Sequence, residues 1–357
     1  MATIERIDEA KAEEFLHTAV GHFSATMTTL FCAVGDQLGL FEVLKEQGPA
    51  TSAELAERAG VDERYALEWL RGLAAAEYLE HDPASGRFTL PPEHALVLAT
   101  ESGPMMLAGG IQELRGAIAV LDPVIDAFRS GGGVKMEEYP TDFFEGLERF
   151  TASWFENLLL DQWMPALPDV DARLREGIDV ADLGCGAGRA SIKLAQAYPE
   201  SRFVGYDLLA HHVERARENA RAAGLADRVT FEVVDGTGGL PERFDLITTF
   251  DVVHDAVDPA GLVRSIRESL NDGGTYLMLE INCADDPADN VGPLASLFYG
   301  FSLFYCMTTS LAHGGAGLGT CGMPEAKVRE LCEAAGFASV ERAPIENPFN
   351  SLFVARA

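Results

Sequence analysis

The chain has 357 residues, enough for two domains, and its 47% hydrophobic and 23% charged residues are typical of a globular protein rather than a disordered or collagen-like one. The 56 Asp and Glu residues against 27 Lys and Arg residues give a formal net charge of −29. Such a charge repels phosphate backbones and anionic lipid, so no nucleic acid and no membrane surface is expected as a partner.

The cysteines and the first residues bear on the cellular compartment. Six cysteines show no CxxC pair and no zinc-ligand spacing, and no basic segment followed by an apolar run opens the chain. A chain of this length does not need disulfides for stability. We therefore expect a reduced, cytoplasmic protein without a bound metal.

The first hundred residues are predicted to be helical and to contain a winged helix-turn-helix. A short helix is capped near Thr51 and ends at Gly60, and a second helix is followed by two short strands around a polar turn at residues 82–86. The second helix carries more acids than arginines, which is unfavourable for a DNA major groove. Residues 17–44 are apolar on more than one face, which predicts that residues 1–100 dimerise and that the protein is a homodimer.

Residues 101–176 are predicted to be linking helices that line a pocket, interrupted by three consecutive glycines at 131–133. In one of these helices, apolar residues recur at spacings of four, three, four and four. They are Phe143, Leu147, Phe150, Trp154 and Leu158. Such a face is more often part of a core than the wall of a ligand site.

Between residues 177 and 357, seven strand-like runs alternate with helical runs. The alternation predicts an α/β domain with a doubly wound, mainly parallel, seven-stranded Rossmann-like sheet. Ligands of such sheets bind beyond the carboxyl ends of the strands.

One segment of this region, Val291 to Met323, contains no Asp, Glu, Lys or Arg. A membrane-spanning helix needs about 20 apolar residues, but the many Ser, Thr and Gly residues here argue against a span. Either a buried helix hairpin or an aromatic lining for an apolar ligand remains open. The candidate lining residues are Phe298, Tyr299, Phe301, Phe304, Tyr305 and Met307.

The ends of the first three strands contain the candidate ligand-binding residues. The first strand runs into Asp182-Leu-Gly-Cys-Gly-Ala-Gly188, where alternate glycines allow a sharp turn and a close ligand approach. A dinucleotide fingerprint does not fit, because Arg189 stands where it needs a small residue. Asp207 ends the second strand and can take both hydroxyls of a ribose, while Asp235-Gly236 follows the third and can meet an adenine amino group. These three strand ends describe an adenosine without a phosphate.

In order and spacing these residues resemble the class I S-adenosylmethionine-dependent methyltransferases. Nearly the whole chain is similar to the small-molecule O-methyltransferases of that class that carry an N-terminal winged-helix dimerisation domain. The resemblance implies S-adenosylmethionine as the cofactor. It implies that the cofactor is bound by Asp182, Gly184, Gly186, Asp207, Leu208, Asp235, Gly236 and Phe250.

The same resemblance implies a catalytic histidine. After the fourth strand, His254 matches the family's general base and Asp255 its neighbour, whereas the family's tryptophan is replaced by Ala256. Glu280 matches the acid that orients the histidine. A second flanking acid of the family is missing from the segment at 311–320. The resemblance also implies a substrate pocket formed by Phe150, Trp154, Phe298, Phe301 and Tyr305.

The resulting prediction is O-methylation of a small hydrophobic or aromatic acceptor, with secondary metabolism as the setting. The missing tryptophan and acid leave open N- or C-methylation, or a non-methylating use of the same cofactor. A ligand-responsive regulator that uses its winged helix on DNA is an alternative from a different class.

Overall fold

The computed structural model describes residues 7–357, and the chain divides into two compact units. One unit contains the chain up to Arg115 together with Glu145–Phe150. The other contains Gly116–Phe144 and Thr151–Ala357. Two helices, Ala108–Ile118 and Thr141–Asn157, contribute residues to both units.

The first unit contains the helical pair and the wing that the sequence predicts. The Thr51 hydroxyl accepts the Glu54 N–H and the Glu54 carboxylate accepts the Thr51 N–H, a capping box that fixes the start of the third helix. That helix ends at Gly60, whose φ of 68° suits a glycine. The elements are α1 Glu9–Gln37, α2 Leu40–Gln47, α3 Ser52–Ala59, α4 Glu63–Ala75, β1 Glu80–Asp82, β2 Arg87–Thr89, α5 Pro92–Leu98 and α6 Ala108–Ile118.

The second unit contains the alternating strands and helices. Its helices are α7 Leu121–Ser130, α8 Thr141–Asn157, α9 Pro168–Glu176, α10 Arg189–Ala197, α11 Ala210–Ala222, α12 Pro259–Glu268, α13 Pro293–Phe301, α14 Met307–Ala312 and α15 Glu325–Ala334. Its strands are β3 Asp179–Leu183, β4 Arg202–Asp207, β5 Val229–Val233, β6 Phe244–Phe250, β7 Leu270–Ile281, β8 Ser339–Arg342 and β9 Asn350–Arg356. Two π-helical turns, at Leu159–Trp163 and Ser302–Cys306, adjoin α8 and join α13 to α14.

The seven strands lie in the order β5-β4-β3-β6-β7-β9-β8. Strand β9 runs in the opposite direction to the other six. The predicted seven-stranded, mainly parallel sheet is therefore confirmed. The chain leaves β3 toward β4 on one side and later returns to β6 on the other. The carboxyl ends of β3 and β6 thus form the switch point at which open α/β sheets bind their ligands.

Successive residues of the central strands belong to opposite faces of the sheet. In β3, Val180 packs in one buried cluster and Ala181 in another, and Leu246 and Ile247 of β6 divide in the same way. Because both faces are covered by helices, these strands are apolar on both sides. The polar Asp182 within β3 is therefore an exception that requires buried partners.

Most of the uncharged segment forms a helical stretch, Pro293–Ala312, that contains a π-helical turn. Pro293–Ala312 is, among residues 7–357, the one helix long and apolar enough for a membrane span by length and composition, with about a third of it buried in the protein. The pair α1 and α2, bent by 69°, passes the same test only when the two are taken together.

Candidate active site

The turn after β3 brings the backbone close to a neighbouring loop. Gly184 and Gly186 have φ angles of 73° and 52°, which side-chain-bearing residues rarely adopt. A Cβ atom on Gly184 would lie 2.5 Å from a Cγ atom of Val252, so the turn packs directly on the loop after β6. A Cβ on Gly186 would meet nothing within 4 Å. The turn therefore leaves open space over Gly186 while touching the loop that carries His254.

Asp207 at the end of β4 is held next to this open space. Its Oδ2 accepts the Gly186 N–H at 2.8 Å, and its Oδ1 accepts the Leu209 N–H at 2.9 Å. His212 Nδ1 lies 3.2 Å from Oδ1. Burial would raise the pKa of this carboxyl, but His212 and the two backbone amides outweigh it and lower the pKa. An ionised carboxylate with unused lone pairs on both oxygens is suited to two ribose hydroxyls.

Asp182 is buried beneath the glycine turn and accepts hydrogen bonds from two side chains. Its Oδ2 accepts the Ser191 hydroxyl at 2.7 Å and its Oδ1 accepts the Thr248 hydroxyl at 2.9 Å. Burial raises its pKa to about 6 despite these two bonds. Asp182 thus ties β3 to α10 and β6 beneath the glycine turn, and both of its oxygens have protein partners.

The remaining predicted cofactor residues lie at the same edge of the sheet. Asp235 is exposed and caps a short turn by accepting the Thr237 N–H and hydroxyl. Gly236 is buried, and a Cβ there would lie 2.8 Å from Leu183. Leu208 is 57% exposed, which provides an apolar surface beside Asp207. Phe250, at the end of β6, packs its ring against aromatic side chains from α8 and the following π-helical turn.

His254 and Glu280 are in direct contact, as the sequence predicts for an orienting pair. His254 lies in a short turn after β6 and is 3% exposed, while Glu280 in β7 is fully buried. Glu280 Oε2 lies 2.6 Å from His254 Nδ1, and Oε1 accepts the Val253 N–H at 2.9 Å. When the ring is neutral, a carboxylate at Nδ1 keeps the proton on that nitrogen, so Nε2 is the nitrogen that gains or loses a proton.

Two further acids surround the ring. Asp255 Oδ1 lies 3.2 Å from His254 Nε2. Asp251, whose φ is 55°, accepts hydrogen bonds from the Asn350 side-chain amide at Oδ1 and Oδ2, at 3.0 and 2.9 Å. Burial raises the pKa of Asp251 to about 8, so this carboxyl is neutral at neutral pH. For His254, burial alone would lower the pKa, but the Asp255 and Glu280 carboxylates outweigh it and raise the pKa well above 6.5.

The π-helical turn at Ser302–Cys306 places a thiol beside His254 and Asp255. Cys306, at the end of that turn, is buried, and its Sγ accepts the Thr320 hydroxyl at 3.0 Å. Burial raises the pKa of this thiol to about 12, so it stays protonated. The functional atoms of His254, Asp255 and Cys306 lie within 4.8 Å of one another, a set that could hold a metal ion, as could those of Asp251, His254 and Glu280.

The predicted aromatic residues pack against several different partners. Trp154 and Phe298 both pack on the ring of Phe349, at 6.0 and 6.1 Å between ring centres. Tyr305 instead packs at 4.5 Å on Phe143, within a group that also includes Tyr139 and Phe144. Phe301 is half-buried in α13. Phe150 belongs to the other compact unit, where it lies against Gly109 and Gly110 of α6.

Several residues of this site were not found by sequence reasoning. Phe349 and Asn350 lie in and after the loop before β9, and Cys306 and Thr320 come from the uncharged segment. For Cys306 and Thr320 the one signal in the sequence is that segment's lack of charge, which indicates a covered site without saying which atoms face it. The sequence indicates Asp255 only as a neighbour of His254.

Comparison with known proteins agrees with this architecture. Residues 174–298 match a family model described as "Methyltransferase domain", and residues 26–100 match an "Rv2258c-like winged HTH domain". The ubiquinone biosynthesis O-methyltransferase of Cereibacter sphaeroides is 29% identical over 107 residues, which cover 30% of this chain and 42% of that protein. This chain therefore matches less than half the length of that curated relative.

Solved structures match over almost the full length. Mitomycin 7-O-methyltransferase MmcR superposes with a TM-score of 0.71 at 19% identity, covering 98% of this chain and all of that one. Human N-acetylserotonin methyltransferase, solved in complex with SAM, superposes with a TM-score of 0.68 at 20% identity, covering 100% and 99%. At such identities the match establishes the shared fold.

The environment of His254 predicts an unusual titration. We expect the ring to be protonated on both nitrogens at neutral pH and to lose a proton only well above pH 6.5, because carboxylates lie at both Nδ1 and Nε2. Nitrogen-15 NMR of histidine-labelled protein measures this directly, with the signal assigned by its loss in His254→Gln. The substitution Glu280→Gln should lower the pKa of His254. A ring that is neutral at neutral pH would contradict the prediction.

Proposed function

We propose that this chain, in which a winged helix-turn-helix domain precedes a methyltransferase domain, is an S-adenosylmethionine-dependent O-methyltransferase of a small hydrophobic molecule. The observation that carries the proposal is the contact between two neighbouring strand ends. Val252, two residues before His254, packs on Gly184 of the glycine turn. A cofactor over that turn and an acceptor beside His254 would therefore be adjacent.

The residues present fit the cofactor. Asp207 offers an ionised carboxylate for the ribose hydroxyls, Gly186 leaves room for close approach, and exposed Leu208 offers an apolar surface to the adenine. Gly184 and Asp235 belong to the same strand-end edge, whereas Asp182 supports the turn from below. When bound, S-adenosylmethionine supplies an activated sulfonium methyl group. The protein needs to hold the acceptor in line and remove its proton.

His254 is proposed as the general base. With Nδ1–H donated to Glu280, the Nε2 lone pair can take the hydroxyl proton as the oxygen–carbon bond forms. Only the neutral ring can do so, and its pKa is raised, so turnover should fall as the pH falls through that pKa. A positive charge beside the ring, such as a sulfonium, shifts the pKa back down and favours the neutral base.

The acceptor is proposed to be hydrophobic and ring-containing. Trp154, Phe298 and Phe349 offer flat apolar surfaces, and Tyr305 adds a second group. Such walls also exclude water from the reacting atoms. Phe301 is proposed to complete the pocket as the family resemblance implies, while a pocket role for Phe150 stays a prediction from the sequence. The names of mitomycin 7-O-methyltransferase and N-acetylserotonin methyltransferase support a small metabolite, such as one of secondary metabolism, as the acceptor.

The first domain is proposed to dimerise rather than to bind DNA. Arg64 of α4 is paired with Glu68 at 2.5 Å, so this arginine is not free for phosphates. The α1 helix instead exposes an apolar row with spacings of four, three, four, three and four, the heptad pattern of a helix seam. The row consists of Leu16, Val20, Phe23, Met27, Leu30 and Val34. A second copy of the same helix is the occupant that such a row fits.

The proposed domain boundaries and cellular location are consistent with these features. We propose residues 1–100 as the dimerisation domain, 101–176 as linking helices of the pocket and 177–357 as the catalytic domain. Six free cysteines, four of them buried, fit a reducing compartment, which supports a cytoplasmic location.

Asp207 should dominate cofactor affinity. Asp207→Ala removes charge-assisted hydrogen bonds worth roughly 1.5–3 kcal/mol, so S-adenosylmethionine should bind at least about tenfold more weakly. Isothermal titration calorimetry measures this, with the exposed Asp272→Asn as the control for loss of one surface charge. Equal affinities of Asp207→Ala and the unmodified protein would remove the ribose assignment.

His254→Gln should lower turnover by about 10²–10⁴-fold while leaving cofactor affinity within a factor of about three. Glu280→Gln should cost less, because a less well oriented imidazole still accepts protons part of the time. For a phenolic acceptor, a higher pH should partly restore the His254→Gln enzyme. His313→Gln, in the same domain but held at Thr309, serves as the matched control. Near-normal turnover of His254→Gln would exclude the general-base role.

Charges placed in the α1 row should dissociate the dimer. Val20→Glu combined with Phe23→Glu puts two carboxylates into the proposed seam, where they would lose their hydration. Sedimentation equilibrium of the full chain should show a dimer that becomes a monomer. Tyr65→Glu, on the similarly exposed Tyr65 of α4, should remain dimeric. If the double variant associates as tightly as the unmodified chain, the interface lies elsewhere.

A further inference from the structure

Two cysteines on neighbouring loops of the second unit are in contact with each other. Cys283 follows β7, and Cys321 lies between α14 and α15. The Cys283 Sγ atom lies 3.5 Å from the Cys321 carbonyl oxygen, and the Cys283 thiol also contacts the Cys321 thiol. Both side chains are partly exposed, whereas the other four cysteines of the chain are buried. The two thiols that a small reagent can reach are therefore the two that are neighbours.

Backbone hydrogen bonds hold the two loops in place. The Asp285 carboxylate on the first loop accepts the Ala326 N–H at 2.8 Å, which joins that loop to the first turn of α15. On the second loop, the Gly322 N–H donates to the Gly319 carbonyl at 2.7 Å and closes a turn that contains the second cysteine. The contact between the thiols thus results from fixed backbone positions on both sides.

The two thiols differ in acidity. The hydrogen bond from Cys283 lowers the pKa of Cys321, burial opposes this effect, and the charge of the nearby His254 ring adds to it. For Cys283, the same hydrogen bond and burial both raise the pKa. Cys321 is consequently the thiol that ionises first, and the thiolate is the form of cysteine that reacts with oxidants. Cys283 keeps its proton and lies where it can react second.

We propose that Cys283 and Cys321 form a redox modification site, at which a peroxide converts the two thiols into one reversible disulfide. Sulfur atoms that are already in contact need only a small displacement to reach the bonded distance of about 2.05 Å. Disulfides of cytoplasmic proteins are mostly transient and redox-sensing. The proposal therefore agrees with the free thiols of this structure and with the proposed cytoplasmic location.

The reaction balances with one molecule of peroxide. The Cys321 thiolate attacks one oxygen of hydrogen peroxide, the oxygen–oxygen bond breaks, and the leaving hydroxide takes a proton to become water. The Cys321 sulfur is then a sulfenic acid. The Cys283 sulfur attacks it, the sulfur–oxygen bond breaks, and the Cys283 proton leaves with the hydroxide as a second water. Two electrons pass from the two sulfurs to the peroxide, and a dithiol reductant returns them.

The disulfide would restrain the uncharged segment from both ends. Residues 284–320 lie between the two cysteines and contain α13, the π-helical turn and α14. This stretch carries Phe298, Phe301 and Tyr305 of the proposed acceptor pocket and Cys306 beside the proposed base. A cross-link between its ends reduces the freedom of the stretch to open locally. The consequence for the acceptor rests on the proposed O-methyltransferase function, whereas formation of the bond does not.

The test treats the reduced, full-length protein with hydrogen peroxide. The protein should lose two of its six thiols, counted in denaturant with a chromogenic disulfide, and dithiothreitol should restore them. Trypsin leaves both cysteines in one peptide, because no Lys or Arg lies between Arg267 and Lys327. Additional cleavage before Asp285 separates them, and non-reducing mass spectrometry should find the two fragments linked. Fragmentation should place the bond at Cys321 and not at Cys306.

Substitutions identify the partners. Cys283→Ser and Cys321→Ser each remove one sulfur, so neither variant should form the link. Cys332→Ser removes a buried cysteine of α15 and is the matched control, which should form the link as readily as the unmodified chain. In the linked protein, amide hydrogen exchange across residues 293–312 should be slower by at least about threefold than in the reduced protein.

Two results would contradict the inference. Six free thiols after peroxide treatment, or a link between any other two cysteines, would overturn the modification site. A linked protein in which residues 293–312 exchange as fast as in the reduced protein would overturn the restraint of the segment. Neither measurement uses an acceptor or S-adenosylmethionine, so either failure leaves the proposed methyl transfer intact.

Discussion

The site depends on one buried interaction, the contacts of the Glu280 carboxylate with the loop after β6. One oxygen of this fully buried carboxylate accepts the Val253 N–H, and the other lies 2.6 Å from His254 Nδ1. Removing one partner of a buried charged pair costs several kcal/mol because the other is left uncompensated. The same carboxylate therefore fixes the path of the backbone and the tautomer of the ring. Val252, the residue before Val253, packs on Gly184, so the contacts of Glu280 also position the loop against the glycine turn.

The elements around His254 come from distant parts of the chain, and the sheet order explains why they meet. Strands β6 and β7 are parallel neighbours, so their carboxyl ends place the His254 loop beside Glu280. Strand β9 pairs antiparallel with β7, which brings its first residue, Asn350, opposite Ile281. From that position its amide holds Asp251 in a left-handed backbone conformation. A single antiparallel strand thereby supplies a support that a purely parallel sheet would not place at this edge.

The sequence predicted those parts of the fold whose signals are local. The seven strands follow from the alternation of strand-like and helical runs. The glycine turn follows from the alternate glycines at 184–188, and the acid of β4 from its position at the end of a predicted strand. The pairing of His254 with Glu280 came from the family pattern and not from periodicity. The cofactor role of Asp182 stays a prediction, and its buried partners, the hydroxyls of Ser191 in α10 and Thr248 in β6, are not indicated by the sequence pattern. Those partners are 9 and 66 residues away, and no local signal connects them.

Cys306 shows most clearly why the sequence does not predict which side chains face the site. An α-helical repeat of 3.6 residues predicts one buried face for the segment from Pro293 to Ala312. The π-helical turn at Ser302–Cys306 adds one residue to a turn and rotates the helix that follows. Within this turn Tyr305 and Cys306 are both buried, the first among aromatic rings and the second beside His254 and Asp255. The irregular turn thus allows one helix to serve both the apolar wall and the acid–base group, which a regular helix with a single buried face would not do.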